Sequence, residues 1–229
     1  MSSETNSDEM NGEMNGAESL VRTLIDGGVN VCFTNPGTSE MHFVAALDKV
    51  PGMRCVLGLF EGVVTGAADG YYRMLGKPAS TLLHLAPGLA NGLANLHNAK
   101  KADSAVVNIV GEHATYHIKY DAPLTADIEG AAAPMSHWVK TSPTSKTIAG
   151  DGALAIEAAT QTPGQIATLI LPADTAWGPA DAVAVTTAPS APPRVSDDAV
   201  KAAADLLRTS QNATLLMGGA ALRERSLNL

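Results

Sequence analysis

Three segments of this sequence set a polar side chain among glycine, proline or apolar residues as a strand-to-helix turn does, and each offers its own chemistry. The first is Phe33-Thr34-Asn35-Pro36-Gly37-Thr38-Ser39-Glu40. Pro36 and Gly37 make a tight turn, and Thr38 or Ser39 can cap the following helix or help its N-terminus hold an anion such as a carboxylate. The second centres on Glu61, between the apolar run Val56-Leu57-Gly58-Leu59-Phe60 and the small-residue run Gly62–Gly70, with no basic residue between Arg54 and Arg73. An acid at a helix start is favoured by the helix dipole alone. An acid buried in an apolar setting can also share a proton with a ring nitrogen, or donate one to it. The third is Leu83-His84-Leu85-Ala86-Pro87-Gly88, followed by Asn91. His84 ends a strand on the same rim as Glu61, where an imidazole is either a satisfied structural group or an acid-base catalyst.

Other motifs fall away. There is no G-x-G-x-x-G and no G-x-S-x-G, and the glycines from Gly70 to Gly76-Lys77 have the wrong spacing for a phosphate loop, with Pro78 where a hydroxyl should stand. Glu112-His113-Ala114-Thr115-Tyr116-His117 offers two histidines four apart, a zinc pair if helical, with only Asp121 or Asp127 as a third ligand; a polar loop is the expected reading, and no metal ligand is assigned. Gly150-Asp151-Gly152 reads as a helix cap.

These residues need a scaffold, and the apolar pattern supplies one. Asn15 is an N-cap with Glu18 at the N3 position. Leu20, Val21, Leu24 and Ile25 stripe the helix that follows, and Gly27-Gly28 stops it. Strands are predicted over 29–34, 54–60, 79–85, 104–110 and 165–171. Helices are predicted over 39–49, 62–75, 89–101 and 152–160, with a long loop between 110 and 152. Near-continuous apolar strands alternating with helices predict an α/β, doubly wound, mainly parallel sheet with helices on both faces. In such sheets ligands bind at the carboxyl ends of the strands, where all three turns fall.

The segment 178–195, rich in Ala, Thr and Pro, reads as an extended linker. Beyond it Ser196 is expected to cap a helix to Leu207 and Ala213–Met217 to form a strand, less than the ~40 residues a free-standing domain needs, so 196–229 is expected to be the start of a truncated second α/β domain. Residues 1–13 are expected to form a polar, disordered tail.

The chain has 229 residues, 45% apolar and 17% charged, with a net charge of −8. An acidic chain whose longest basic run is Lys100-Lys101 does not suit nucleic acid. No apolar stretch reaches the ~20 residues of a membrane span, and the N-terminal residues lack a signal's apolar core. Cys32 and Cys55, on neighbouring strands, are expected to be buried free thiols, and the protein to be cytoplasmic. The helix 62–75, with small residues on every face, is expected to pack against another subunit, making an oligomer.

At its three turns, and at Leu169-Ile170-Leu171-Pro172-Ala173-Asp174, the chain resembles thiamine-diphosphate (ThDP) enzymes of the acetolactate synthase and benzoylformate decarboxylase group. The resemblance makes residues 14–177 the pyrimidine-binding domain. It implies that Glu61 hydrogen-bonds the cofactor's aminopyrimidine N1′, favouring the tautomer whose 4′-nitrogen deprotonates the thiazolium carbon that attacks a 2-oxo acid. It implies that His84 relays protons and contacts substrate, as in the decarboxylase branch, where acetolactate synthases usually carry a small hydroxyl residue. Thr38 then meets the substrate carboxylate, and Asn35, Pro36, Gly37, Gly88 and Asn91 line the cofactor pocket. The implied activity is decarboxylation or carboligation of 2-oxo acids. The family's Mg2+ and diphosphate site belongs to a third domain with no counterpart in these residues, so a further chain or a homo-oligomer must complete it. FAD, carried by acetolactate synthases in their central domain, is possible but unsupported. The alternative is a catalytically inactive truncated subunit serving as a dimerisation or regulatory module.

Overall fold

Asn15 begins the first element as its sequence suggests: its side chain accepts the Glu18 N–H at 2.9 Å, and helix α1 runs over Gly16–Asp26. The face formed by Leu20, Val21 and Leu24 is fully buried, each side chain contributing roughly 1.5–3 kcal/mol of transfer free energy. The computed structural model describes residues 14–188, 191–223, 226 and 228; the tail expected over 1–13 lies outside the described residues. These residues fall into two units divided between Ala188 and Pro189.

The first unit is a six-stranded sheet with helices on both faces. Its strands are β1 (Val31–Asn35), β2 (Arg54–Leu57), β3 (Ala79–Leu83), β4 (Val106–Glu112), β5 (Trp138–Thr141) and β6 (Ile166–Pro172), in the spatial order β2-β1-β3-β4-β6-β5. Every pairing is parallel. Helices α1, α2 (Met41–Lys49) and α6 (Ile148–Ala159) cover one face, packing Leu20, Phe43 and Ile156 on Cys32, Leu82, Ile109 and Leu169. Helices α3 (Glu61–Leu75), α4 (Leu85–Lys101) and α5 (Ile128–Ala132) cover the other, packing Val64, Leu89 and Ile128 on Leu83, Val110 and Ile170. The sheet grows in one direction from β1 to β2 and in the other from β3 onward. The helices after β1 and β3 therefore leave to opposite faces and open a crevice between those strand ends.

Within the second layer a polar ladder crosses three strands. Thr81 Oγ1 donates to Asn108 Oδ1 at 2.7 Å, Asn108 Nδ2 donates to Thr168 Oγ1 at 3.0 Å, and the Thr168 and Ser136 hydroxyls meet at 2.7 Å. Thr81, Asn108 and Thr168 are fully buried and lie in one register row.

Several expectations are corrected. The strand predicted over 54–60 ends at Leu57, because Leu59, 90% exposed, and Phe60 point away from any core. Glu61 is the first residue of α3, and α4 starts at Leu85, four residues early. The long loop after β4 contains α5 and the edge strand β5. Asp151 is not a cap: it lies inside α6, buried, accepting from Ser142 Oγ at 2.8 Å and pairing with Lys140 Nζ at 2.6 Å. Cys55 is exposed, while Cys32 opposite it is buried. The segment expected as a linker is extended but docked up to its middle: Ser19 Oγ donates to the Ala182 carbonyl at 2.5 Å, and Thr187 N–H donates to Glu157 at 2.8 Å. Helix α7 (Ala173–Trp177) closes the β6 end.

The second unit holds helix α8 (Asp197–Thr209), whose N-cap Ser196 accepts the Ala199 N–H at 3.2 Å. The strand expected over 213–217 does not form; no strand exists among the described residues of this unit for it to pair with.

Candidate active site

Glu61 sits where β2 gives way to α3, and its carboxylate is complementary to the helix N-terminus it opens. It is 9% exposed. Its Oε2 accepts from Asn91 Nδ2 at 3.0 Å, and one helical turn on, Asn95 Nδ2 donates to the Gly62 carbonyl at 2.6 Å. Two amides on α4 thus tie down the first turn of α3. The helices meet closely because Gly62 and Gly66 on α3 face Asn91 and Asn95, while Gly92 on α4 faces Thr65. Gly62 and Gly66 are thus used within the chain, while a Cβ at Gly70 would meet nothing within 4 Å among the described residues.

Gly88 lies between the two candidate catalytic side chains. A Cβ there would stand 3.1 Å from Glu61 Oε1 and 3.3 Å from His84 Cβ, so only glycine leaves the space between them open. His84, at the end of β3, is the N-cap of α4, and its carbonyl accepts the Gly88 N–H at 2.8 Å. The chain turns sharply after it because Leu85, fully buried, adopts a left-handed φ of 49°. Such a conformation in a non-glycine residue costs about 1–3 kcal/mol and is held by the packing around it.

The turn after β1 brings the first segment to the same crevice. The His84 imidazole lies against the Gly37 backbone, where a Cβ would come within 2.3 Å of Nδ1. Asn35 Nδ2 donates to the Gly58 carbonyl at 3.1 Å, joining the ends of β1 and β2. Pro36 precedes Gly37 in the turn, and Thr38 is exposed at the start of a 3-10 turn over Thr38–Glu40. The sequence-predicted residues Asn35, Pro36, Gly37, Thr38, Glu61, His84, Gly88 and Asn91 therefore share one rim of the sheet, at the carboxyl ends of β1, β2 and β3.

Sequence reasoning gave Glu40 no role. Its carboxylate is 1% exposed, and Oε2 accepts from Gly37 N–H at 2.7 Å and lies 2.8 Å from His84 Nδ1. The available signal was a glutamate three residues after Gly37, the spacing at which a side chain reaches back to the N–H at a helix start. Oε1 has no hydrogen-bond partner among the described residues and lies over Gly111, where no Cβ fits. Next to Gly111, burial pushes the Glu112 carboxyl up; the His113 N–H bonded to it pulls it down, and the neighbouring Glu40 charge raises it further. The His113 and His117 rings lie 5.6 Å apart, edge to face, and no cluster of three His, Cys, Asp or Glu side chains suited to a metal exists among the described residues. Thr115 instead binds Asp174, N–H to Oδ1 at 2.9 Å.

Residues 14–136 match the family described as thiamine pyrophosphate enzyme, N-terminal TPP binding domain. The chain belongs to the ThDP enzymes. Among its relatives is a Mycobacterium tuberculosis protein named "Putative acetolactate synthase large subunit IlvX", 56% identical over 211 residues, which cover 92% of this chain and 40% of that protein. Pseudomonas aeruginosa benzoylformate decarboxylase is 36% identical over 107 residues, 47% of this chain and 20% of that one. A ThDP-dependent 4-hydroxybenzoylformate decarboxylase of Rhodococcus jostii superposes with a TM-score of 0.74 at 25% identity, covering 87% of this chain and 38% of the other. The chain thus spans about two-fifths or less of the length of these ThDP enzymes. No helix among its described residues is long and apolar enough to cross a membrane.

Proposed function

We propose that this chain is the cofactor-activating, pyrimidine-binding part of a ThDP-dependent decarboxylase or carboligase acting on 2-oxo acids. The observation that carries the reading is the Glu61 carboxyl, buried at a helix N-terminus, with Oε2 held by Asn91 and Oε1 facing the space that Gly88 leaves open. This half-open acid fits an aminopyrimidine: Oε1 is the atom left to meet a ring nitrogen, and burial keeps water from competing for it. When bound, ThDP supplies the nucleophilic thiazolium carbon and the electron sink for loss of CO2.

The chain's own residues do the rest. Glu61 holds the proton at the pyrimidine nitrogen, and Asn91 fixes the orientation of its carboxyl. His84, across Gly88, moves a proton to or from the reacting substrate. Thr38, exposed at the mouth, offers its hydroxyl to the substrate carboxylate. Asn35, Pro36 and Gly37 shape the wall between the ends of β1 and β2. The diphosphate and its Mg2+ are assigned to a domain outside these 229 residues, contributed by further chain or by a partner subunit.

The test is CO2 release from a panel of 2-oxo acids by the assembly purified from its own cells, with wild-type chain or Glu61→Gln. The variant should lose about a hundredfold or more in kcat while the assembly's mass is unchanged. Unaltered turnover, or an assembly inactive on every 2-oxo acid yet intact, favours the dimerisation-module reading instead.

A further inference from the structure

We propose that Glu40 is the positioning residue of the site: it fixes the His84 imidazole in the tautomer that carries its proton on Nδ1 and leaves Nε2 as the acid-base atom. The inference deepens the proposed function, because it rests on His84 facing the reaction.

The geometry carries it. Glu40 Oε2 is 2.8 Å from His84 Nδ1 and already accepts the Gly37 N–H, so an ionised Glu40 has only acceptor capacity to offer the ring. Nδ1 must then be the donor. Nε2 makes no hydrogen bond among the described residues and is the nitrogen available to an incoming group. The ring cannot turn easily to exchange its nitrogens, because it rests on Gly37, whose missing Cβ leaves just the thickness the imidazole fills.

Glu40 is itself held rigidly. It is 1% exposed, its backbone N–H donates to the Gly37 carbonyl at 3.3 Å, and its Oε1 is seated over Gly111 at a separation no side chain there could share. A carboxylate locked in this way orients an imidazole as the third member of an acyl-transfer triad does, with no proton passing to the acid. The acid comes from the turn after β1 and the histidine from the end of β3, the two strands flanking the crevice, so the pair also fastens the two sides of the site together. Glu112 stands beside Glu40, and burial, together with the neighbouring Glu40, raises the Glu112 carboxyl.

The readout is the pair of ring 15N chemical shifts of His84, which separate the Nδ1–H and Nε2–H tautomers and need neither cofactor nor substrate. They are measured on the full chain at a pH where the ring is neutral and assigned by loss of the signals in His84→Gln. The wild-type chain should show Nδ1–H as the major form. In Glu40→Met, of similar length and without an acceptor, the ratio of Nδ1–H to Nε2–H should fall by about tenfold or more. A wild-type spectrum dominated by Nε2–H overturns the assignment without any variant. So does an unchanged ratio in a Glu40→Met chain whose amide spectrum shows it folded. Because no cofactor is present, these outcomes are independent of whether Glu61 supports 2-oxo acid chemistry.

Discussion

Glu61 depends for its reach on a glycine one helix away. Gly88 is the only residue type that keeps both the Glu61 carboxylate and the His84 methylene at contact distance of one point. Gly88→Ala should therefore cost about 1–3 kcal/mol of stability by overpacking and lower kcat/KM of the complete assembly by about tenfold or more, measured by denaturant melts and by CO2 release. A folded variant with undiminished kcat/KM would show that the space beside Glu61 is unused. Glu112 gives a pH test. Its carboxyl is raised in the fold, mainly by burial, so its favourable contribution is complete below the unfolded carboxylate range and is lost as pH rises through the folded value. Glu112→Gln should thus be more stable than wild type at neutral pH, with the advantage shrinking toward pH 4, as followed by urea midpoints. An equal advantage at both pH values would mean that the carboxyl titrates alike in both states.

At the level of elements, how clearly the sequence showed each one followed what its apolar residues do. β3, β4 and β6 are buried along their whole length and were plain as apolar runs. β5 was missed because its four half-buried edge residues, Trp-Val-Lys-Thr, form no such run. β2 was overextended because Leu59 and Phe60 are apolar without being core, and periodicity reads composition rather than destination. Of the site, the residues at the three turns were legible because glycine, proline and a polar group mark strand ends. Glu40 and Asn95 were not, since the contact of Glu40 with His84 and that of Asn95 with the Gly62 carbonyl join residues distant in sequence. The cysteines show the same limit: paired in register, Cys32 is buried, its thiol pushed up to about 12 chiefly by desolvation, while edge-strand Cys55 is exposed, its thiol raised by the partial desolvation it keeps against the sheet. A thiol reagent at mildly alkaline pH should label Cys55 alone in the folded chain and both cysteines after unfolding; labelling of Cys32 without unfolding would contradict the packing of β1.

For the molecule as a whole, Gly62 and Gly66 of α3 are spent on α4, whereas a Cβ at Gly70 would meet nothing within 4 Å among the described residues. Leu59, Phe60, Val63 and Met74 are all exposed, and Val63, Ala67, Gly70 and Met74 share one helical face. An exposed apolar face of this kind suits a second subunit. Val63→Asp with Met74→Asp should raise the dissociation constant of the assembly by about tenfold or more while leaving the chain folded, as read by sedimentation. An unaltered sedimentation profile would place the contact elsewhere. The row of Thr81, Asn108 and Thr168 bears on the same scale in a different way. Apolar strands such as β3, β4 and β6 could be slid past one another by two residues and still present greasy side chains to both layers. With an amide and two hydroxyls aligned in the middle, any such slip strands a carboxamide in hydrocarbon. The ladder works as a checksum on the assembled sheet: only the alignment that clears it delivers the ends of β3 and β4 to the right height, leaving the loops beyond free to diverge in sequence without moving the ground they stand on.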